Sequence, residues 1–169
     1  SGMDSDNIDF DIETDRSGLS IKSEYRKRRW KNRCSVHAVL KVPRKTDIYF
    51  STMGGDLELQ GLECDASGKT MGGDIRLSGI KGELDVETMG GDITVNASKV
   101  DGKVFTMGGD VEVSDVVGDL RSKTFGGDVK YVNVKKSRTE REDRKISMST
   151  LGGDLELDYP GREVKARTL

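Results

Sequence analysis

The sequence predicts an all-β fold: a single-stranded parallel β-helix, expected to be right-handed, with six rungs of 18 residues and an antiparallel N-terminal cap. A Thr-x-Gly-Gly-Asp motif recurs along the chain, and alternating apolar and polar residues follow each copy. The composition agrees, because 21 of the 169 residues are Gly. A Gly inside a helix costs about 1 kcal/mol, which disfavours an all-α fold.

The motif has a fixed period. Successive copies are separated by 18, 18, 18, 18 and 26 residues and begin at Thr52, Thr70, Thr88, Thr106, Thr124 and Thr150. The charged tract 135–145 accounts for the excess in the last spacing and is expected to form a protruding loop. Such a period is typical of stacked repeats.

Each repeat contains two short apolar alternations, which predict two strands. The first alternation follows Gly-Gly-Asp, at Leu57/Leu59, Ile75/Leu77, Ile93/Val95, Val111/Val113, Val129/Tyr131 and Leu155/Leu157. The second precedes each Thr, for example at Leu84/Val86. A third apolar position lies between them at Leu62, Ile80, Val116 and Val134, with Ser98 in one repeat. Two strands and their corners use all 18 residues, so no crossover helix fits.

Charge along the repeats favours a parallel stack over an antiparallel meander. The outward position between the first apolar pair reads Glu58, Arg76, Thr94, Glu112, Lys130 and Glu156. Neighbouring repeats never place like charges together here. Direct stacking requires this, because like charges opposite each other are destabilising.

The Gly-Gly pair marks a corner. Alternation counted forward from Val86 places Thr88 inside, whereas alternation counted back from Ile93 places Gly91 inside. The inward phase therefore slips within the motif, at a corner or bulge that Gly accommodates. The following Asp is expected to accept a nearby backbone N–H.

The ends depart from the repeat. Residues 8–15, 19–22 and 36–42 alternate and predict antiparallel strands in a cap, residues 4–43, that covers the first rung. Residues 44–169 form the solenoid, and 164–166 lie in a last strand. Ser1-Gly2-Met3 has the composition of a tag remnant, so a secretory signal or anchor is expected to have been removed.

The charge balance excludes some functions. The net charge is −2, so no overall basic field exists and no nucleic-acid partner is expected. The sequence contains no run of about 18 apolar residues, so it predicts no membrane-spanning helix. Cys34 and Cys64 make neither a disulfide scaffold nor a zinc site. No cofactor is expected.

Three sets of residues are candidate sites, each with an alternative. The Asp column could hold Ca²⁺, but turn capping is the preferred interpretation. The Met column is either lateral core, which is preferred, or a partner stripe. A basic segment could bind an anionic polymer or form a solvated loop. The Asp column consists of Asp56, Asp74, Asp92, Asp110, Asp128 and Asp154, and the Met column of Met53, Met71, Met89 and Met107. The basic segment contains Arg26, Arg28, Arg29, Trp30, Lys31 and Arg33.

Catalysis is not expected. His37 is the single histidine, so a nucleophile–His arrangement would have to be built around it. The acidic residues obey the repeat, as a structural role predicts.

The segment Val42-Pro43-Arg44 through Ser51-Thr52-Met53-Gly54-Gly55-Asp56, with the iterated Thr-x-Gly-Gly-Asp-apolar motif, resembles a bacterial family described as adhesins. These are domains of unknown function akin to the head GIN domain of autotransporter adhesins. The resemblance covers about residues 36–160 and implies a β-helix that is secreted or displayed on the cell envelope. The near-invariant Met and the insertion at 135–145 depart from the family pattern.

These features predict a non-enzymatic, extracytoplasmic binding module, an adhesin that recognises glycan or protein. The alternative is a regulatory or assembly scaffold of an envelope-stress or membrane complex.

Overall fold

The computed structural model describes residues 8–14, 19–25, 42–135, 146–158 and 164–168, which form strands and turns without any helix. None of these residues forms a helix that could cross a membrane. The strands are β1 (Ile8–Thr14), β2 (Leu19–Tyr25), β3 (Ile48–Thr52), β4 (Leu57–Gln60), β5 (Ala66–Thr70), β6 (Ile75–Ser78), β7 (Lys81–Thr88), β8 (Ile93–Asn96), β9 (Lys99–Thr106), β10 (Val111–Ser114), β11 (Leu120–Lys123), β12 (Val129–Val132), β13 (Ile146–Thr150), β14 (Leu155–Asp158) and β15 (Val164–Thr168).

The strands form two sheets of a parallel β-solenoid. One sheet has the order β1-β2-β3-β5-β7-β9-β11-β13-β15 and the other β14-β12-β10-β8-β6-β4. Chain neighbours such as β3 and β4 lie in different sheets, and pairs such as Ile75 and Ile93 stack in parallel one repeat apart. The predicted β-helix is confirmed, and the meander is excluded.

The N-terminal strands extend the first sheet. β1 pairs with β2 antiparallel, as predicted, whereas β2 pairs with β3 in parallel and so begins the stack. The predicted strand at 36–42 lies almost wholly outside the described residues, as do the turn at 16–18 and most of the charged insertion. At the other end, β15 pairs with β13 in parallel, which confirms the last strand.

The core is a set of columns that run through the stack. Both predicted apolar alternations point inward in the central rungs, and so does the third position, where Ile80, Val116 and Val134 are fully buried. The prediction is wrong at Leu157, which is 38% exposed because β14 is the edge strand of its sheet in the described residues. Ser98 is buried in the same column, but its hydroxyl is satisfied: it accepts the Ile80 N–H at 3.1 Å and donates to the Asn96 carbonyl at 2.7 Å. A polar residue is thus tolerated in an apolar column.

Residue size is matched between neighbouring core positions. Phe50 fills the space over Gly68, where an added Cβ would lie 2.6 Å from the Phe50 ring. Tyr131 is buried opposite the small Ser122, and their hydroxyl oxygens are 2.6 Å apart. Burial raises the pKa of the Tyr131 phenol, and the Ser122 hydrogen bond offsets part of this. The phenol therefore stays neutral and donates to the Leu120 carbonyl.

The corner after each Thr is where the inward phase slips, as predicted. Thr88 and Gly91 are buried, whereas Met89 and Gly90 between them are exposed. The Thr88 hydroxyl donates to the Gly73 carbonyl of the preceding rung at 3.1 Å and accepts the Gly91 N–H at 3.3 Å. The same pair of bonds recurs at Thr106, Thr124 and Thr150.

A second corner requires left-handed backbone. Gly61 and Gly79 have φ values of 66° and 65°, and the equivalent residues in the next three rungs keep positive φ without being glycine. These residues are Ala97, Asp115 and Asn133. Asp and Asn tolerate this conformation, but Ala does not, because its Cβ approaches the carbonyl. Ala97, with φ 47°, is the strained member.

The two glycines of one motif are expected to respond oppositely to alanine. A Cβ on Gly91 would lie 2.1 Å from the Gly73 carbonyl oxygen, so Gly91→Ala must push two rungs apart. We expect a loss of about 3 kcal/mol or more in the free energy of unfolding. A Cβ on Gly90 comes no closer than 3.8 Å to the Met71 carbonyl, so Gly90→Ala is the matched, tolerated control. Equal losses in urea denaturation would contradict the proposed close approach.

The left-handed corner predicts a reciprocal pair of substitutions. Ala97→Gly should raise the free energy of unfolding by about 0.5–1 kcal/mol, since it relieves about 1–2 kcal/mol of strain and adds back chain entropy. Gly61→Ala should lower it by a similar amount, and because no atom lies within 4 Å of the added Cβ, that loss reports backbone strain alone. Thermal or urea unfolding measures both. A destabilised Ala97→Gly variant would contradict the strain.

Candidate binding surface at the Met-Gly-Gly-Asp corner

The Met column lies on the surface, so the preferred prediction of lateral core is wrong. The exposed fractions are 53% for Met53, 51% for Met71, 45% for Met89 and 40% for Met107. The physical reason is the phase slip: Thr takes the last inward position of its strand, and the next inward position belongs to the second Gly. We call these four residues the methionine stripe.

The stripe is part of a longer apolar ridge. Phe125 and Leu151 occupy the same position in the last two motifs, and Leu151 is 45% exposed. The ridge consists of Met53, Met71, Met89, Met107, Phe125 and Leu151. Main-chain bonds hold it in register, because the Met71 N–H donates to the Thr52 carbonyl at 3.2 Å and the Met89 N–H to the Thr70 carbonyl at 3.3 Å. With rungs about 4.8 Å apart, six positions span about 24 Å.

Phe125, near the C-terminal end of the ridge, contacts an aromatic ring and a cation that lie outside the ridge. The Phe105 and Phe125 rings meet edge to face, with centroids 5.5 Å apart. The Lys123 ammonium lies 4.7 Å from the Phe125 centroid. Such contacts hold the Phe125 ring against its neighbours, so this end of the ridge is less adaptable than the methionine stripe.

One side of the ridge is bordered by the Asp of each motif. Every Asp after the first donates its N–H to the Oδ1 of the Asp in the preceding rung, at distances from 3.0 Å for Asp74 to 2.7 Å for Asp154. The donors in between are Asp92, Asp110 and Asp128. We call the six residues the aspartate ladder. The Asp does accept a backbone N–H, as predicted, but the donor belongs to the next rung and not to its own turn.

The ladder is also the column that could hold Ca²⁺ according to the sequence, as the less favoured alternative to turn capping. Five of its six carboxylates already use Oδ1 for the bond to the next rung. Arg76 lies between two of them, 2.8 Å from Asp74 and 3.8 Å from Asp56. In the described ranges, no group of three or more His, Cys, Asp or Glu side chains gathers at metal-binding distances. Calcium binding stays a prediction.

A second acidic ladder runs along the nine-stranded sheet, just before its strands or within their first three residues. Asp47 accepts the Asp65 N–H at 3.0 Å, Asp65 the Glu83 N–H at 2.7 Å, and Asp101 the Asp119 N–H at 2.7 Å. We did not predict this ladder from the sequence. Its signal was the same 18-residue recurrence of acidic residues, at a position that no conserved motif marks.

Charges elsewhere on the solenoid largely pair between rungs. Lys69 contacts Glu87 at 2.7 Å and Lys130 contacts Glu156 at 2.8 Å. These hydrogen bonds raise the pKa of both lysines. The stacking of Glu58 on Arg76 and of Glu112 on Lys130 confirms the predicted outward column, although Arg76 contacts aspartates instead of Glu58. Such exposed pairs contribute little stability.

The described surface also contains a depression that is open to solvent. A depression of about 370 Å³ is lined by Glu83, Leu84, Asp85, Gly102, Lys103, Asp119 and Arg121. Lys103 and Asp85 pair within it at 3.1 Å. Because most of its charged side chains are exposed and Lys103 is paired with Asp85, the depression is not an enclosed, water-excluding site.

Of the remaining residues that the sequence analysis considered, the structure describes Cys64. The basic segment with Arg26, Arg28, Arg29, Trp30, Lys31 and Arg33 lies outside the described residues, together with His37 and Cys34. Cys64 is a buried free thiol. Burial raises its pKa, and the nearby Asp47 and Asp65 add to the shift. Cys64 is therefore a core residue and not an activated nucleophile.

The hydrogen bonds of the aspartate ladder predict that the side-chain acceptor contributes more to the stability of the fold than the negative charge does. Asp92→Ala removes the acceptor of the Asp110 N–H, which is 2.9 Å away. We expect it to lower the free energy of unfolding by about 1 kcal/mol, because the freed group is solvent-accessible. Asp92→Asn keeps a side-chain oxygen and is expected to stay within about 0.5 kcal/mol of the parent. Urea denaturation compares them; equal losses for Asn and Ala would show that charge is the cause.

Three comparisons with known proteins gave one match. No curated protein and no solved structure gave a match. The family model described as Toastrack DUF4097, an uncharacterised domain, matches residues 5–168. This match spans both the repeats and the N-terminal strands. The chain therefore belongs to the Toastrack DUF4097 family.

Proposed function

We propose that this chain is a non-enzymatic binding module that holds a partner protein against the apolar ridge. The observation that carries the proposal is the outward position of six apolar residues in register, four of which are 40–53% exposed methionines. A continuous exposed apolar patch with a polar border is typical of a protein interaction site. Met side chains also adapt to partners of different shape.

The borders of the ridge define the partner's chemistry. The aspartate ladder places a row of carboxylates along one side, with Arg76 contacting the first two. A partner segment with apolar residues facing the ridge and Lys or Arg facing the ladder would complement both. The ridge itself favours protein over glycan, because its thioether and hydrocarbon side chains offer apolar contacts and few hydrogen bonds to sugar hydroxyls.

We further propose that the module works outside the cytoplasm, as the adhesin resemblance implies. Two settings fit a protein-binding solenoid: an adhesin that contacts a protein on another surface, and a scaffold within an envelope or membrane complex. Both use the same ridge. They differ in whether the partner is made by the same cell.

A peptide-display selection on the purified protein tests the ridge. Enriched peptides should combine apolar residues with Lys or Arg. A Met71→Lys/Met89→Lys variant should lose about tenfold or more in affinity, since an interface anchor contributes more than about 1 kcal/mol. Both residues are exposed, so the unfolding temperature should not change.

The matched control is Tyr49→Lys, because Tyr49 is 46% exposed but lies outside the ridge. It should leave the peptide affinity unchanged. If enriched peptides bind both variants as tightly as the parent, the ridge is not the recognition surface and the proposal is wrong.

A further inference from the structure

Four consecutive rungs present a thioether at the same exposed position. Met148, the other methionine in the described ranges, is 1% exposed and belongs to the core. Thioethers are soft ligands that select Cu(I) over hard cations. We propose that the methionine stripe binds a soft monovalent cation, Cu(I) or Ag(I), between the sulfur atoms of neighbouring rungs.

The rung spacing matches this coordination. Stacked main chains are about 4.8 Å apart. If a metal–sulfur bond is about 2.3 Å long, as for zinc thiolates, two sulfurs on one cation are about 4.0–4.6 Å apart for trigonal or linear geometry. The bonds from Met71 to Thr52 and from Met89 to Thr70 hold the rungs together at the stripe itself. Met has three rotatable side-chain bonds, so the proposed site relies on rotamer adjustment to bring neighbouring sulfurs onto one cation.

The order of residues along the ridge supports a metal role. Phe125 and Leu151 keep the ridge apolar in the last two rungs without a thioether. The thioethers instead occupy consecutive positions, Met53 to Met107, and a cation shared between rungs requires adjacent sulfurs. The aspartate ladder, three residues further along each motif, adds a negative field that attracts a cation without itself being a soft ligand.

Titration with Ag(I), which needs no reductant, tests the site. The protein carries ¹³C-methyl methionine and the substitutions Cys34→Ser and Cys64→Ala, so that no thiol competes. The methyl signals of the methionine stripe should shift and saturate, while that of Met148 stays in place. Calcium and zinc should shift none of them. Cu(I) under anaerobic, reducing conditions should reproduce the Ag(I) shifts.

Two double variants separate ligation from apolar area. Met53→Leu/Met107→Leu keeps Met71 beside Met89, whereas Met71→Leu/Met107→Leu leaves two thioethers two rungs apart. Both variants retain two of the four stripe sulfurs and an apolar ridge. The first should bind Ag(I) with near-parental affinity; the second should lose about 100-fold, since even indirect metal partners contribute about 10–100-fold.

Equal Ag(I) affinity in the two double variants, or an absence of stripe-specific shifts in the parent, would overturn the metal site. Binding of display-selected peptides is measured on the same proteins. Leu substitutions keep the hydrocarbon surface, so peptide binding should persist where Ag(I) binding is lost. Failure of the metal site and failure of the proposed function are therefore distinguishable.

Discussion

The close approach of successive main chains at the Thr-x-Gly-Gly corner is the constraint on which the rest of the structure depends. At Gly91 the preceding rung leaves no space for a Cβ, and the Thr88 hydroxyl joins both rungs by accepting from one and donating to the other. Because the chain turns inward at Thr and again at the second Gly, the residue between Thr and Gly-Gly is forced outward. The exposed ridge is thus a consequence of how the corner closes, whatever the identity of the side chain that occupies it.

Stacking with one fixed register turns each surface position into a column. A residue choice that would be incidental on an irregular surface is repeated every rung, so its effect adds along the solenoid. The aspartate ladder shows the benefit, since five of its six carboxylates accept the next rung's N–H at Oδ1 and are tolerated side by side. The opposite charges of Lys130 and Glu156 show the accompanying restriction, because an outward column must avoid placing like charges in contact. Binding surfaces on such a fold are therefore linear and periodic.

Most of the fold could be predicted from the sequence, because period and alternation determine strand position, register and core. Leu84, Val86 and Ile93 were placed inside on alternation alone, and all three are buried. The candidate binding surface was harder to predict from the sequence. Alternation ends at Thr88 and resumes at Gly91, and it assigns no side to Met89, so the preference of Met for cores gave the wrong prediction. The acid ladder at Asp47 and Asp65 and the strained Ala97 depend on backbone directions at corners, which a two-residue period does not encode.

The identity of the ridge residues now becomes informative, because geometry accounts for their exposure but not for their chemistry. A solenoid that needed solubility alone would place polar residues at an outward column, as it does at Glu112 and Lys130. Retaining apolar side chains in all six rungs has a solubility cost, which the proposed partner would offset. Choosing sulfur in four adjacent rungs adds a property that Leu would lack, namely soft-metal ligation. A Met-to-Leu substitution keeps the hydrocarbon area and removes the sulfur. The proposed partner binding and the proposed metal binding can therefore be tested separately on one ridge.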